Sequence, residues 1–137
     1  MARKREMVLR FLAEPADVNF GGKVHGGAVM KWIDQAGYAC AAAWSGRYCV
    51  TLRVSEISFL RPIFIGHLVE VRAVIDHTGN TSMHIKVQVS SSDPKDMNLQ
   101  PTTECQIVFV ALDEAGKPIS VPKAHAKPAA LEEGTPQ

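Results

Sequence analysis

From Gly26 onward, apolar residues recur at intervals of three and four: Val29, Ile33, Ala36, Cys40 and then Ala43 or Trp44. That period puts them on one face of an α-helix. Ala28, Met30, Trp32, Gly37 and Ala41 fall on other faces, so most of the circumference is apolar and the only polar strip is Lys31, Asp34, Gln35 and Tyr38. Such a helix is expected to be wrapped by other structure on nearly every side. Ser45-Gly46 should end it, the glycine being suited to a left-handed cap.

After the helix the period changes to two. Tyr48 to Leu60 starts with Val50, Leu52 and Val54 on one face and finishes with Ile57 and Phe59 on the other, which predicts a bulge or bend near Ser55-Glu56. His67 to Asp76 and the run Met83, Ile85, Val87, Val89 flank HTGNTS and predict a hairpin; Thr102 to Leu112 is a further strand. Ahead of the helix, Met7 to Ala13 reads as a first strand, broken by Glu14-Pro15-Ala16-Asp17, and Gly21-Gly22 makes the next segment an irregular loop.

Beyond the turn Asp113 to Lys117, the sequence is rich in Pro, Ala and charge without periodicity. The expectation is one domain over residues 1–117 and an extended or disordered tail over 118–137. Strand, long helix, then long antiparallel strands is the order of an α+β fold with helix and sheet segregated. A helix this apolar requires a curved sheet around it, and the unpaired edge of one small sheet predicts edge-to-edge pairing in a homodimer.

Composition narrows the function. The 137 residues carry 15 basic and 14 acidic side chains, so no excess field favours nucleic acid, and no basic helix or zinc-finger spacing is present. Lys31 and Asp34 interrupt the long helix, and Arg10 interrupts the N-terminal apolar run, so neither membrane insertion nor a signal peptide is expected and a cytoplasmic location follows. Cys40, Cys49 and Cys105 have no metal-ligand spacing and read as buried small side chains, so no metal is expected. GGKVHGG lacks both nucleotide-binding glycine patterns.

The chemistry-bearing residues gather between Asn19 and Asp34. His25-Gly26-Gly27 opens the helix, and the first N–H groups of a helix are unpaired donors carrying a favourable dipole, suited to an oxyanion. Gly26 or Gly27 supplies such a donor with no Cβ to hold a ligand away. Asp34 lies seven residues beyond Gly27, about 10 Å of helix rise, too far to act on a carbonyl held at its own helix start. Asn19 alone would be a turn residue, His25 alone a histidine beside a helix start, and Asp34 alone a member of the solvated strip; together they mark a site.

Asn19, the His25-Gly26-Gly27 turn, Asp34 and the later SFLRPIFIG segment resemble the hot-dog-fold acyl-CoA thioesterases over roughly Phe11 to Leu112. The resemblance implies a hot-dog fold, a long central helix wrapped by a curved antiparallel β-sheet, with homodimers often assembled into hexamers or tetramers. It implies hydrolysis of acyl-CoA to free acid and CoA at sites shared between subunits, where Asp34 of one chain faces Asn19 and the Gly-Gly turn of the other. No separate cofactor is implied, because coenzyme A enters as part of the substrate. By the same resemblance, the turn Thr78, Gly79, Asn80, Thr81, Ser82 and Met83 lends groups to the CoA moiety; Arg61, Lys117 and Lys123 are available for its phosphates.

Asp34 has two candidate roles. An aspartate with its ordinary pKa of about 3.9 is a weak base near neutrality, so general-base catalysis requires burial, whereas a nucleophilic carboxylate does not. Two other functions use the same fold: a hydratase or dehydratase working through Asp17, Asn19 and His25, and a non-catalytic acyl-CoA-binding module.

Overall fold

A computed structural model describes residues 3–126. Strand β1 (Glu6–Leu12) leads through a 3₁₀ turn (Pro15–Asp17) to the helix α1 (Gly26–Ser45), followed by β2 (Tyr48–Val54), β3 (Ser58–Phe59), β4 (Leu68–Thr78), β5 (Ser82–Ser92) and β6 (Gln100–Leu112). The six strands form one antiparallel sheet in the order β1-β4-β5-β6-β2, with β3 also pairing to β6. α1 touches β1, β2, β4, β5 and β6. Five strands about 4.8 Å apart span nearly twice the width of a helix, so a sheet that reaches α1 with all of them must curve around it. This is the hot-dog fold.

Alternation in β4 and β5 explains the core. Val69, Val71, Ala73 and Ile75 meet Met83, Ile85, Val87 and Val89 beneath the helix, all of them buried. The helix answers with small residues, Ala36, Gly37, Cys40 and Ala41, which let the backbone approach the sheet closely. A Cβ on Gly37 would lie 2.8 Å from Phe109 Cε1, so this position accepts no side chain without moving the Phe109 ring. Phe11 packs edge-on against Trp32 with ring centroids 4.9 Å apart, which ties β1 to the same core.

Three sequence expectations are modified. The expected bend between Tyr48 and Leu60 is a break over 55–57, joined by a register shift between Thr51 and Arg53. It arises because Ser55 takes over the ladder: its N–H donates to Gln106 O and its hydroxyl accepts from Gln106 N, both at 2.8 Å.

The helix is not wrapped on nearly every side within one chain. Its sheet-facing side is buried, but Gly27, Met30, Lys31, Asp34, Gln35 and Tyr38 are exposed, because all the strands lie on one side of it.

The segment 118–126 runs without regular secondary structure, and it packs against the domain. Val121 and Ala124 are buried. Ile119 N–H donates to Ala111 O, Val121 N–H to Asn80 O, and Trp44 Nε1 to Pro122 O. The remainder of the expected tail, 127–137, lies outside the described residues.

Candidate active site

The loop before α1 is built by Asn19. Its side-chain Oδ1 accepts from Gly21 N–H at 2.9 Å and Lys23 N–H at 3.3 Å, and its backbone N–H donates to Lys23 O at 2.7 Å. With the carbonyl of the amide committed to the loop, the NH₂ is the part left to donate to a ligand. His25 is the helix N-cap in an extended conformation; its carbonyl receives the N–H groups of Ala28 and Val29, and its imidazole makes no capping bond. The Gly26 and Gly27 N–H groups, ahead of the helical ladder, have no partner among the described residues.

Asn19 and Gly26 line one cleft of about 310 Å³ with Val29, Phe59, Arg61 and Ile63. Gly27 and Asp34 are not on its wall. A Cβ at Gly26 would sit 3.7 Å from Phe59 Cζ, whereas one at Gly27 would meet nothing within 4 Å. Of the two helix-start glycines, Gly26 is therefore the one that shares the cleft wall with Asn19. Arg61 lies at its mouth, with Nη1 bonded to Pro101 O at 2.8 Å.

Asp34 stands two turns away on the exposed strip of the helix. Thr51 Oγ1, from the edge strand β2, donates to Asp34 Oδ1 at 3.0 Å, and Oδ2 accepts no hydrogen bond among the described residues. Sequence reading missed Thr51. Its signal was weak: a threonine in a β-strand is ordinary, and nothing local says that the strand crosses the helix at Asp34.

The turn between β4 and β5 sits at the other end of the helix, beside Trp44. Helix rise from Gly26 to Trp44 is about 27 Å, so within one chain this turn stands far from its own Asn19 cleft. The turn is also partly engaged. Thr78 N–H donates to Ala124 O, Thr78 Oγ1 accepts from Ala124 N–H, Asn80 Oδ1 accepts from Ser120 Oγ, and Gly79 O accepts from Lys123 Nζ. Thr81 and Ser82 are half-buried. Met83 is completely buried in the core, because its side chain alternates to the helix face of β5, so its side chain reaches no surface.

Asp17, part of the hydratase alternative, is engaged in local structure: its carboxylate accepts from Glu14 N–H at 2.9 Å and its carbonyl from His25 N–H at 2.8 Å. The three cysteines are buried free thiols, and burial pushes Cys40 up to about 11, so it is held as the inert thiol. Among the described residues no three His, Cys, Asp or Glu side chains gather to hold a metal. No helix among them is long and apolar enough to cross a membrane.

The sequence profile of the thioesterase superfamily matches residues 21–97. The acyl-CoA thioester hydrolase YciA of Salmonella typhimurium is 36% identical over 121 residues, covering 85% of this chain and 90% of that protein. Among solved structures, the hexameric thioesterase y2039 from Yersinia pestis superposes with a TM-score of 0.79 at 34% identity, covering 89% of this chain and 98% of that one. An acyl-CoA hydrolase from Staphylococcus aureus in complex with coenzyme A gives a TM-score of 0.86 at 26% identity, covering 91% and 75%. Structures of that enzyme include alanine variants of an asparagine, an aspartate and a threonine, whose separations along the chain equal those of Asn19, Asp34 and Thr51 here. The chain belongs to the thioesterase superfamily.

Proposed function

We propose that this protein hydrolyses acyl-CoA to a free carboxylic acid and CoA at two equivalent sites, each completed by a second copy of the chain. The observation that carries the shared site is the separation of its halves: the Asn19–Gly26 cleft and the Asp34–Thr51 pair are two helical turns apart, and both are open. A two-fold axis at the free edge of β2 pairs that strand antiparallel with its copy. This sets the Asp34 face of one helix against the cleft of the other. The edge suits burial, since Tyr48 is 64%, Leu52 66% and Phe59 56% exposed, large apolar side chains that a lone chain leaves in water.

In that arrangement the thioester carbonyl lies in the cleft, accepting from Gly26 N–H and the Asn19 amide. Charge builds on its oxygen as the nucleophile adds, and two preset donors stabilise it more in the transition state than in the substrate. Asp34 of the other copy, held by Thr51 through Oδ1, presents Oδ2. It either attacks the carbonyl carbon, giving an anhydride that water opens, or takes a proton from the attacking water. Collapse of the tetrahedral species breaks the C–S bond and releases CoA thiolate. The substrate brings CoA with it, so the scheme uses no other cofactor. His25 shapes the helix start through its backbone. Dimers joining further into a hexamer or tetramer fit the same scheme, as in the hexameric relative from Yersinia pestis.

Two experiments test this. Thiol release from acetyl- to palmitoyl-CoA should be seen with the wild type and lost in Asp34→Ala. Asn19→Ala and Asp34→Ala chains, each inactive alone, should regain about a quarter of wild-type activity when mixed in equal amounts, because half the dimers then carry one intact site. Binding of acyl-CoA without thiol release would sink the hydrolase reading; absence of complementation would sink the shared site. Single turnover in ¹⁸O-labelled water separates the two roles of Asp34, with label in the aspartate marking the anhydride.

A further inference from the structure

We infer that Phe59 sets the length of the acyl group, and that the group is a short to medium straight chain. This rests on the hydrolase reading above and names the substrate class of the same site. The cleft that holds the two donors placed at the carbonyl, Asn19 and Gly26, is walled for the rest chiefly by apolar residues, among them Val24, Val29, Ile63 and Phe59. A chain that begins at that carbonyl therefore runs over apolar surface.

Two of these walls are fixed. Val29 and Ile63 are each 3% exposed, and Val24 N–H donates to Ile63 O at 2.8 Å, so neither side yields without disturbing the core. Phe59 differs, because its backbone is pinned while its ring is more than half exposed. Ser58 and Phe59 pair with Glu104 and Thr103 of β6, and Leu60 N–H donates to Thr102 O at 2.7 Å. A Cβ built on Gly26 would lie 3.7 Å from Phe59 Cζ and 3.9 Å from Cε1, so the ring edge stands within van der Waals reach of the helix start that carries the oxyanion donor. A ring this close to the donor is where a growing acyl chain is first confined.

Size gives the limit. At about 310 Å³ the cleft is at the lower end of ligand pockets, which run from about 300 to 1,000 Å³. At roughly 30 Å³ for each non-hydrogen atom, the share of one water in the liquid, it holds roughly ten of them. The carbon, oxygen and sulfur of the thioester use three, which leaves an acyl chain of about eight carbons in all.

Thiol release along the series from acetyl- to palmitoyl-CoA tests this. In the wild type, kcat/KM should rise about fourfold for each methylene that finds apolar cover, level off near octanoyl-CoA and gain nothing with further length. Phe59→Ala should carry the rise on to dodecanoyl-CoA or beyond, with palmitoyl-CoA gaining about tenfold relative to butyryl-CoA. Phe59→Trp fills the cleft further and should end the rise between butyryl- and hexanoyl-CoA, while Phe59→Leu should fall between wild type and alanine. Opposite shifts from a smaller and a larger side chain are a result that a folding defect does not produce. A profile that stays in place in all three variants, a uniform fall over every chain length included, removes Phe59 from length selection while the hydrolase stands. A wild-type profile still rising at palmitoyl-CoA overturns the size limit. No thiol release from any acyl-CoA would mean that the hydrolase reading itself has failed.

Discussion

Thr51 Oγ1 donates a 3.0 Å hydrogen bond to Asp34 Oδ1 across the join between the edge strand and the helix. Both are exposed in the single chain, so the bond orients the carboxylate at a surface that a second copy would cover. Thr51→Val keeps the shape of the side chain and removes the donor. It should lower kcat by about tenfold or more with little change in KM, the pattern of an interaction that matters in the transition state. Asp34→Asn should cost more, about 10²–10⁴-fold. Equal kcat values for Thr51→Val and wild type in a steady-state thiol assay would remove Thr51 from the mechanism.

Gly26 offers a way to delete one N–H and little else. His25 is already extended, at φ −62° and ψ 141°, as a residue before proline must be, and the first helical position tolerates proline. Gly26→Pro should therefore fold, with its melting temperature close to wild type, while kcat falls about 10²–10³-fold for loss of an oxyanion donor. Gly26→Ala, which keeps the N–H, should retain most activity. A fully active Gly26→Pro enzyme would move the donor role to Gly27.

Deleting residues 118–137 should destabilise the domain. It uncovers the surface against which Val121 and Ala124 pack and removes the partners of Trp44 Nε1, Thr78 N–H and Asn80 O. A loss of about 2–4 kcal/mol follows from two small buried side chains and several hydrogen bonds, which lowers the melting temperature by roughly 10 °C. Differential scanning calorimetry reads this directly, and an unchanged melting temperature would show that the segment is decoration.

Acid should weaken the β4–β5 hairpin in two steps. His84 stacks on His77 with ring centroids 4.2 Å apart, and burial first, then the neighbouring His77 and Arg53, hold it below its ordinary value. Its folded form binds protons less readily than its unfolded form. The stability it contributes is thus complete above about pH 6.5 and is lost as pH falls through the lower folded value. Asp76 is also lowered, chiefly by the hydrogen bond from His77. Its contribution is present above about pH 3.9 and disappears as pH falls through its own lower folded value. Urea unfolding across pH 8 to 3 should show both steps, and His84→Gln should flatten only the upper one.

The strand and helix limits were legible because they follow from local rules. Alternation in β4 and β5 marked their buried faces, and the spacing of Val29, Ile33, Ala36 and Cys40 marked the sheet-facing side of α1. The turn residues also spoke for themselves: Gly46 adopts the left-handed cap at φ 70°. The segment 118–126 was harder to read, since Val121 and Ala124 are too far apart and too few to make a period, yet each fills a place left by the helix end and the β4–β5 turn.

By itself, the sequence determined that one long apolar helix follows a glycine turn, that long antiparallel strands pack on it, and that Asp34 lies too far along the helix from the Gly26-Gly27 start to serve one site with it in one chain. Those results depend on periodicity and rise per residue, which are properties of the backbone. Only the tertiary structure decided that Thr51 holds Asp34, that Asn19 commits its carbonyl and keeps its amide, that Gly26 shares its cleft, and that Arg3 and Pro122 both reach Trp44. Contacts between residues remote in sequence depend on how strands are ordered and registered across the sheet, and no local pattern encodes that order.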